Sequence, residues 1–85
     1  MFYVYIICSV DHPDQIYVGR TEDLKTRLSA HNSGNSTHTS KYAPWKLEVY
    51  IAFEDKAKAI AFEEYLKTGA GRKFRDKRLL LTTLE

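Results

Sequence analysis

The sequence predicts an α+β fold, in which a three-stranded antiparallel sheet packs with helices in the order β-β-α-β-α-α. Two runs of aromatic and β-branched residues lie near the N-terminus and are joined by a six-residue turn, which favours a hairpin. A third alternating run and three helical segments supply the remaining elements. With 85 residues, 44% of them hydrophobic, the chain can bury one modest core, and we predict a single domain over residues 1–85.

The first predicted strand, Phe2–Cys8, is apolar on both faces, which indicates a strand covered on both sides. Alternation places Tyr3 and Tyr5 on the same face. The second strand, Gln15–Arg20, follows a turn rich in Ser, Asp and Pro. Antiparallel pairing is expected to bring Tyr17 onto the face that carries Tyr3 and Tyr5, so the hairpin gathers tyrosines on one side of the sheet.

The first helix is predicted to have Thr21 as its N-cap, Leu24 and Leu28 as its core stripe, and Gly34 as its stop. Two acidic residues after Thr21 suit the positive end of the helix dipole. The polar segment Asn32–Pro44 is predicted to be a loop, and loops of this length are often functional.

The second half of the chain is predicted to form one strand and two helices. The strand covers Leu47–Phe53, and Asp55 caps a helix over Lys56–Lys67. The glycines of Gly69–Gly71 are expected to break the chain before a last helix over about Arg72–Thr82. This last helix is predicted to direct three apolar side chains inward, namely Phe74, Leu80 and Leu81.

Charge is unevenly distributed, although the net charge is only +2. Residues 67–85 contain six basic and two acidic residues, whereas residues 1–66 contain seven basic and nine acidic ones. A basic end on a near-neutral body indicates an anionic partner, most often nucleic acid. A solvated helix that favours solubility explains the same charges equally well.

The composition argues against several classes of protein. The single cysteine, Cys8, cannot form an internal disulfide or the usual Cys-type metal site, which fits a reducing, intracellular setting. No signal peptide and no apolar run of membrane-spanning length is evident. We therefore expect a soluble, cytoplasmic protein that does not contact a membrane.

Arg27 and His31 lie one helical turn apart at the edge of the core stripe. Arginine binds phosphate through paired donors, and histidine relays protons near neutral pH. Taken alone, an ordinary helix arginine and a half-buried histidine are the commoner explanation. The same holds for the strand tyrosines, because tyrosine buries well with its hydroxyl at the rim.

Glu63 lies near the core stripe of the second helix, whereas Glu64 lies on its far side. A carboxylate beside an anionic substrate can hold Mg²⁺. The alternative is an i,i+4 pair between Glu63 and Lys67, which stabilises a helix by roughly a few tenths of a kcal/mol. Aromatic residues near Lys41 can stack on unpaired bases, but Trp45 is expected to seal the core instead.

Four stretches stand out by their order along the chain. They are Tyr3-Val-Tyr5, Tyr17-Val-Gly-Arg-Thr, the pair Arg27 and His31 followed by Asn-Ser-Gly, and Ala59-Ile-Ala-Phe-Glu63-Glu-Tyr-Leu-Lys-Thr-Gly. This combination resembles the GIY-YIG nuclease domain over essentially the whole chain, and its small single-domain members most closely. The first stretch lacks the glycine of the family pattern, and no asparagine follows Asn35.

The resemblance implies an endonuclease that hydrolyses DNA phosphodiester bonds with Mg²⁺ or Mn²⁺. Tyr5 would activate or position the attacking water, and Tyr17 would contact the scissile phosphate. Arg27 would neutralise the growing charge of the phosphate, and His31 would hydrogen-bond the tyrosine or share its proton. Glu63 would hold the metal ion. The residues expected to contact nucleic acid are Gly19, Arg20, Lys41, Lys67, Arg72, Lys73 and Arg75.

The resemblance also bears on partners. Family nucleases usually choose their targets through an attached DNA-binding domain, so specificity here is expected from a protein partner, a homodimer or the structure of the DNA. Two alternatives to an autonomous enzyme stay open. One is a non-catalytic nucleic-acid-binding module, and the other is a nuclease subunit that needs a partner for activity.

Overall fold

The computed structural model describes residues 1–34 and 38–81. Its sheet consists of β1 (Phe2–Ser9), β2 (Ile16–Thr21) and β3 (Trp45–Phe53) in the order β2-β1-β3. Both pairings are antiparallel. The α+β fold class and the N-terminal hairpin are confirmed, and β3 begins two residues earlier than predicted.

Helices cover both faces of this sheet. They are α1 (Leu24–Asn32), α2 (Lys56–Leu66) and α3 (Gly69–Phe74), with a 3₁₀ turn at Ser40–Tyr42 and a π-helical turn at Arg75–Leu79. Within the described ranges no helix has the length and apolar character needed to cross a bilayer.

β1 is the central strand and separates two apolar clusters. On one face, Val4 and Ile6 pack with Ala59 and Leu66 of α2. On the other face, Tyr5, Ile7 and Trp45 pack with residues of α1 and the 3₁₀ turn. The prediction that both faces of the first strand are covered is therefore confirmed, and so is the sealing role of Trp45, which is only 5% exposed. This burial removes apolar surface from water, and each Å² removed stabilises the fold by roughly 25 cal/mol of free energy.

The predicted N-cap of the first helix was wrong. Thr21 still belongs to β2, and the cap is Asp23, whose carboxylate accepts hydrogen bonds from the backbone N–H and the hydroxyl of Thr26. The charged acceptor reaches both donors at once, and these bonds lower the pKa of Asp23. Thr21 instead accepts a hydrogen bond from the Asp23 N–H and stabilises the turn into α1.

The predicted break at Gly69–Gly71 was also wrong, because these residues form the first turn of α3. Thr68 is the N-cap, and its hydroxyl accepts a hydrogen bond from the Gly71 N–H. A Cβ at Gly71 would overlap the backbone of Tyr65, so glycine permits the tight corner between α2 and α3.

The end of the chain departs from the predicted helix as well. Regular α-helix stops at Phe74, and the π-helical turn follows. Leu80 is half-buried as expected, but Leu81 is 55% exposed and Phe74 36% exposed, so those two inward orientations were wrong. Phe74 packs edge-on against Phe62 at the surface instead. The predicted helix end at Thr82 lies outside the described residues.

Candidate active site

The site is built around the phenol of Tyr5, at the centre of β1. Its hydroxyl lies 2.8 Å from Nε2 of His31, and Nε of Arg27 donates a hydrogen bond to it at 3.4 Å. Tyr5 is 2% exposed and His31 is fully buried. Because β1 carries one residue and α1 the other two, strand and helix packing alone brings these groups together.

Tyr17 completes this cluster from the neighbouring strand. In the hairpin Ile7 pairs with Tyr17 and Tyr5 pairs with Gly19, which confirms the predicted shared face. The Tyr17 ring centroid lies 5.1 Å from that of His31 and 6.4 Å from that of Tyr5. We call Tyr5, Tyr17, Arg27 and His31 the tyrosine cluster.

Burial and mutual contact set the protonation states in the tyrosine cluster. Burial raises the pKa of Tyr5, and the hydrogen bond from Arg27 offsets this only in part. Burial and the charge of Arg27 lower the pKa of His31, and the hydrogen bond to Tyr5 together with the nearby Tyr17 raises that of Arg27. At neutral pH the phenol therefore keeps its proton, the imidazole is neutral and the guanidinium is charged.

Gly19 makes room for the phenol of Tyr5. A Cβ at this position would lie closer than 3.0 Å to the oxygen and two ring carbons of Tyr5. The Tyr5 ring is buried and lies beside the rings of Tyr17 and His31. Burial of the Tyr5 phenol therefore requires a residue without a side chain at position 19.

Gly19→Ala is therefore expected to displace Tyr5 and to lower the free energy of unfolding by about 1–3 kcal/mol, the usual effect of overpacking. Thermal unfolding measures this, since 1 kcal/mol shifts the Tm of a domain this small by roughly 4–8 °C. Gly69→Ala is the matched control, because nothing lies within 4 Å of its Cβ and alanine favours the helix. Equal Tm values for Gly19→Ala and wild type would contradict the predicted clash.

Thr39 contacts His31, and the sequence did not predict this contact. Its hydroxyl lies 2.7 Å from Nδ1 of His31, and it is 2% exposed. The backbone carbonyl of Thr39 accepts a hydrogen bond from Nε1 of Trp45. No sequence signal singles out this hydroxyl among the several Ser and Thr residues of the loop, since only the fold shows which one meets the imidazole.

Glu63 lies on α2, on the opposite face of the sheet from the tyrosine cluster. Its Oε1 accepts a hydrogen bond from Nε of Arg20 and its Oε2 one from Nζ of Lys67, both at 3.1 Å. The side chain is 15% exposed, whereas Glu64 is exposed, as predicted. Glu63 does not join the tyrosine cluster by direct contact, but its charge contributes to raising the pKa of Tyr5. It lies beside the edge strand β2, within electrostatic reach of the phenol.

The carboxylate of Glu63 fits a divalent metal ion of the magnesium kind. In residues 1–34 and 38–81 no three His, Cys, Asp or Glu side chains form a metal-binding group. Mg²⁺ does not need one, because it commonly takes one or two carboxylates together with substrate phosphate and water. Each carboxylate oxygen of Glu63 keeps a further lone pair beyond its bond to Arg20 or Lys67.

A basic cavity adjoins Tyr17. It lies between β2 and the α2–α3 corner, and Lys67, Arg72 and Arg75 contribute its cationic side chains. Arg75 is also paired with Asp76 at 2.8 Å. Two of the other predicted nucleic-acid contacts, Lys41 and Lys73, do not line this cavity. Lys41 lies in the 3₁₀ turn, beside the ring of Tyr42, and Lys73 is exposed on α3.

Comparison with known proteins shows the family to which the chain is similar. The profile of the GIY-YIG catalytic domain matches residues 1–76. A UPF0213 protein of Clostridium perfringens is 38% identical over 68 residues, which cover 79% of this chain and 71% of the relative. A UPF0213 protein of Streptococcus pyogenes is 36% identical over 78 residues, covering 91% of this chain and 79% of the relative.

A longer relative shares the same region. The structure-specific endonuclease subunit SLX1 homolog of Drosophila mojavensis is 39% identical over 69 residues, which cover 71% of this chain and 23% of that protein. The family profile spans the sheet and all three helices, and therefore both the tyrosine cluster and Glu63. The chain belongs to the GIY-YIG catalytic domain family.

Proposed function

We propose that this protein is an endonuclease that hydrolyses DNA phosphodiester bonds with Mg²⁺ or Mn²⁺. The observation that carries the proposal is the buried Tyr5 phenol, which is hydrogen-bonded to a neutral histidine and to an arginine. A phenol, a proton acceptor and a fixed positive charge at one point are the groups that attack on a phosphate requires. The family membership and the SLX1-type relative support the same chemistry.

Tyr5 acts in this proposal as a relay. A phenol with a raised pKa is a poor base by itself, but it can pass its own proton to Nε2 of His31 while it takes one from the attacking water. The water oxygen then bonds to phosphorus, and the bond to the 3′ oxygen breaks with its electron pair going to that oxygen, which takes a proton from bulk water. The imidazole ends this step as a cation, next to a phosphate that carries extra negative charge.

Arg27 and Tyr17 hold the scissile phosphate. Arg27 contacts the Tyr5 oxygen already, so a phosphate beside that phenol falls within its reach. Its charge acts more strongly on the transition state than on the ground state, because the phosphate oxygens gain charge as the reaction proceeds. Tyr17 stands next to both groups and presents its phenol to the same phosphate.

Glu63 holds the divalent ion in this proposal. Bound there, Mg²⁺ or Mn²⁺ supplies a Lewis acid for the phosphate and charge stabilisation for the leaving 3′ oxygen. Arg20 and Lys67 neutralise the same carboxylate, and Lys67 also lines the basic cavity.

The DNA backbone follows the basic cavity next to Tyr17. Lys67, Arg72 and Arg75 line it, and phosphate contacts of this kind position a strand without reading its sequence. The Tyr5 phenol fills the space beside Gly19, so that side of its backbone is closed to nucleic acid. Lys41 and Lys73 lie outside the cavity. We place this activity in the cytoplasm, where the free thiol of Cys8 stays reduced.

A subunit that needs a partner is the second candidate. The name of the Drosophila mojavensis relative describes a subunit, and this chain corresponds to less than a quarter of that protein. A partner protein or a homodimer then supplies target choice. The third candidate, a nucleic-acid-binding module without turnover, uses the same basic cavity.

A cleavage assay on single-stranded, branched and supercoiled DNA and on RNA tests the proposal. We expect the purified protein to cut at least one DNA substrate with Mg²⁺ or Mn²⁺ and none with EDTA. Salt-dependent binding without cutting on any substrate would contradict an autonomous enzyme and favour the binding module. Cutting that appears only when a second copurifying chain is present favours the subunit.

A further inference from the structure

We propose that Thr39 is a positioning residue that selects the tautomer of His31 and so leaves Nε2 free to receive the proton of Tyr5. The inference rests on the proposed function, because it concerns the proton path in the same site. It assigns a role to a loop threonine that touches neither the phosphate nor the metal-holding carboxylate.

Both nitrogens of the imidazole are engaged. Nε2 lies 2.8 Å from the Tyr5 hydroxyl and Nδ1 lies 2.7 Å from the Thr39 hydroxyl. His31 has no exposed surface, so water does not replace either partner. A neutral imidazole carries one N–H and one lone pair, and the two hydroxyls therefore decide which nitrogen bears the proton.

Only one of the two tautomers supports the relay. With the proton on Nδ1, that N–H donates to Thr39 and Nε2 accepts the phenolic proton of Tyr5. With the proton on Nε2, that N–H donates to the Tyr5 oxygen, which Arg27 already approaches, and the phenolic proton loses its acceptor in a nearly buried site. A phenol is also a stronger acid than an alkyl hydroxyl, so the better donor to the imidazole lone pair is Tyr5.

Thr39 is held in place independently of His31. Its carbonyl accepts one hydrogen bond from Nε1 of Trp45 at 2.8 Å and another from the Tyr42 N–H at 3.1 Å. The side chain of Asn32, next to His31 in sequence, hydrogen-bonds both the N–H and the carbonyl of Trp45. The end of α1, the 3₁₀ turn and the start of β3 thus form one frame that presents the hydroxyl to Nδ1.

Nitrogen-15 NMR of the histidine side chains tests the tautomer without any cleavage. A protonated and an unprotonated ring nitrogen resonate far apart, and His12→Gln and His38→Gln variants identify the signals of His31. We expect wild-type His31 to be protonated at Nδ1 at neutral pH. A wild-type signal that shows the proton on Nε2 overturns the proposal, and no substitution at Thr39 is needed for this measurement.

Two substitutions at Thr39 complete the experiment. Thr39→Val keeps the shape but leaves a buried Nδ1–H without an acceptor, so we expect the population ratio of the tautomers to shift toward Nε2–H by roughly tenfold or more. Cleavage should slow by about as much while DNA affinity is unchanged, and Thr39→Ser should restore both the signal and the rate. A Thr39→Val protein with the wild-type tautomer, or a Thr39→Ser protein that behaves like Thr39→Val, overturns the proposal.

These measurements distinguish a failure of the proposed nuclease function from a failure of the positioning role of Thr39. A wild-type protein that cuts no DNA removes the proposed function, while the NMR signals still report whether Thr39 selects the tautomer. Normal cleavage by Thr39→Val with a shifted tautomer removes the positioning role and leaves the nuclease intact.

Discussion

Tyr5→Phe is expected to slow DNA cleavage by about 10²–10⁴-fold, the range that general acid–base groups contribute. The substitution removes one oxygen atom and with it the group that links the attacking water to His31. The ring remains, so its packing against Tyr17 and the space left by Gly19 are unchanged. Single-turnover cleavage with Mg²⁺, compared with DNA binding by the same protein, measures the effect.

Tyr3→Phe is the matched control for this prediction. Tyr3 lies on the same strand and the same face, but its ring packs edge-on against Tyr50 on β3, away from His31. Its cleavage rate should stay close to that of wild type. If Tyr5→Phe and Tyr3→Phe cut equally well, the phenol of Tyr5 transfers no proton in the reaction and the relay is wrong.

Glu63→Gln is expected to lower metal-dependent cleavage at least about a hundredfold, because a metal ion supplies several kcal/mol of transition-state stabilisation. The amide keeps the size of the side chain but loses the charge that a divalent ion requires. DNA binding without metal should persist, since Arg20 and Lys67 lose an anionic partner and become available to phosphate. Cleavage across a Mg²⁺ titration and binding in EDTA give the two measurements.

Glu64→Gln is the matched control, because Glu64 follows directly on α2 and is exposed. It changes the net charge by the same amount and should leave cleavage unaffected. Retention of wild-type activity by Glu63→Gln would show that the metal is held elsewhere, or that none takes part. Loss of DNA binding together with cleavage would instead point to a disturbed fold, which circular dichroism detects.

Two halves of the tyrosine cluster followed from local patterns, and the family resemblance joined them into one site. Alternation in two strands placed Tyr5 and Tyr17 on one face, and helical spacing placed Arg27 beside His31 at the edge of a buried stripe. These periodicities are properties of a single element, and the register that pairs Tyr5 with Gly19 followed from the hairpin. The proposed chemistry of these residues still rests on the experiments above.

Helix ends were the weaker part of the prediction. Thr21, which precedes two acids, is a good candidate for an N-cap, yet Asp23 fills that role because its carboxylate reaches two groups of Thr26. The glycines at 69–71 usually mark a break, yet the cap at Thr68 and the close approach of Gly71 to Tyr65 make them the start of α3. In both cases neighbouring side chains outweighed single-residue preferences.

The sequence by itself determined the α+β class, the N-terminal hairpin and the shared face of Tyr5 and Tyr17, because these depend on periodicity along chain segments. The expectation that Arg27 and His31 join the tyrosines came from the family resemblance. Helical spacing had already offered the ion pair between Glu63 and Lys67, which the structure contains. Only the tertiary structure decided that Thr39 meets Nδ1 of His31, that Arg20 joins Lys67 on Glu63, and that Glu63 lies on the opposite face of the sheet. These contacts join residues between 4 and 43 positions apart, most of them on different elements, and their geometry depends on how α1, α2 and the loop pack around one hairpin.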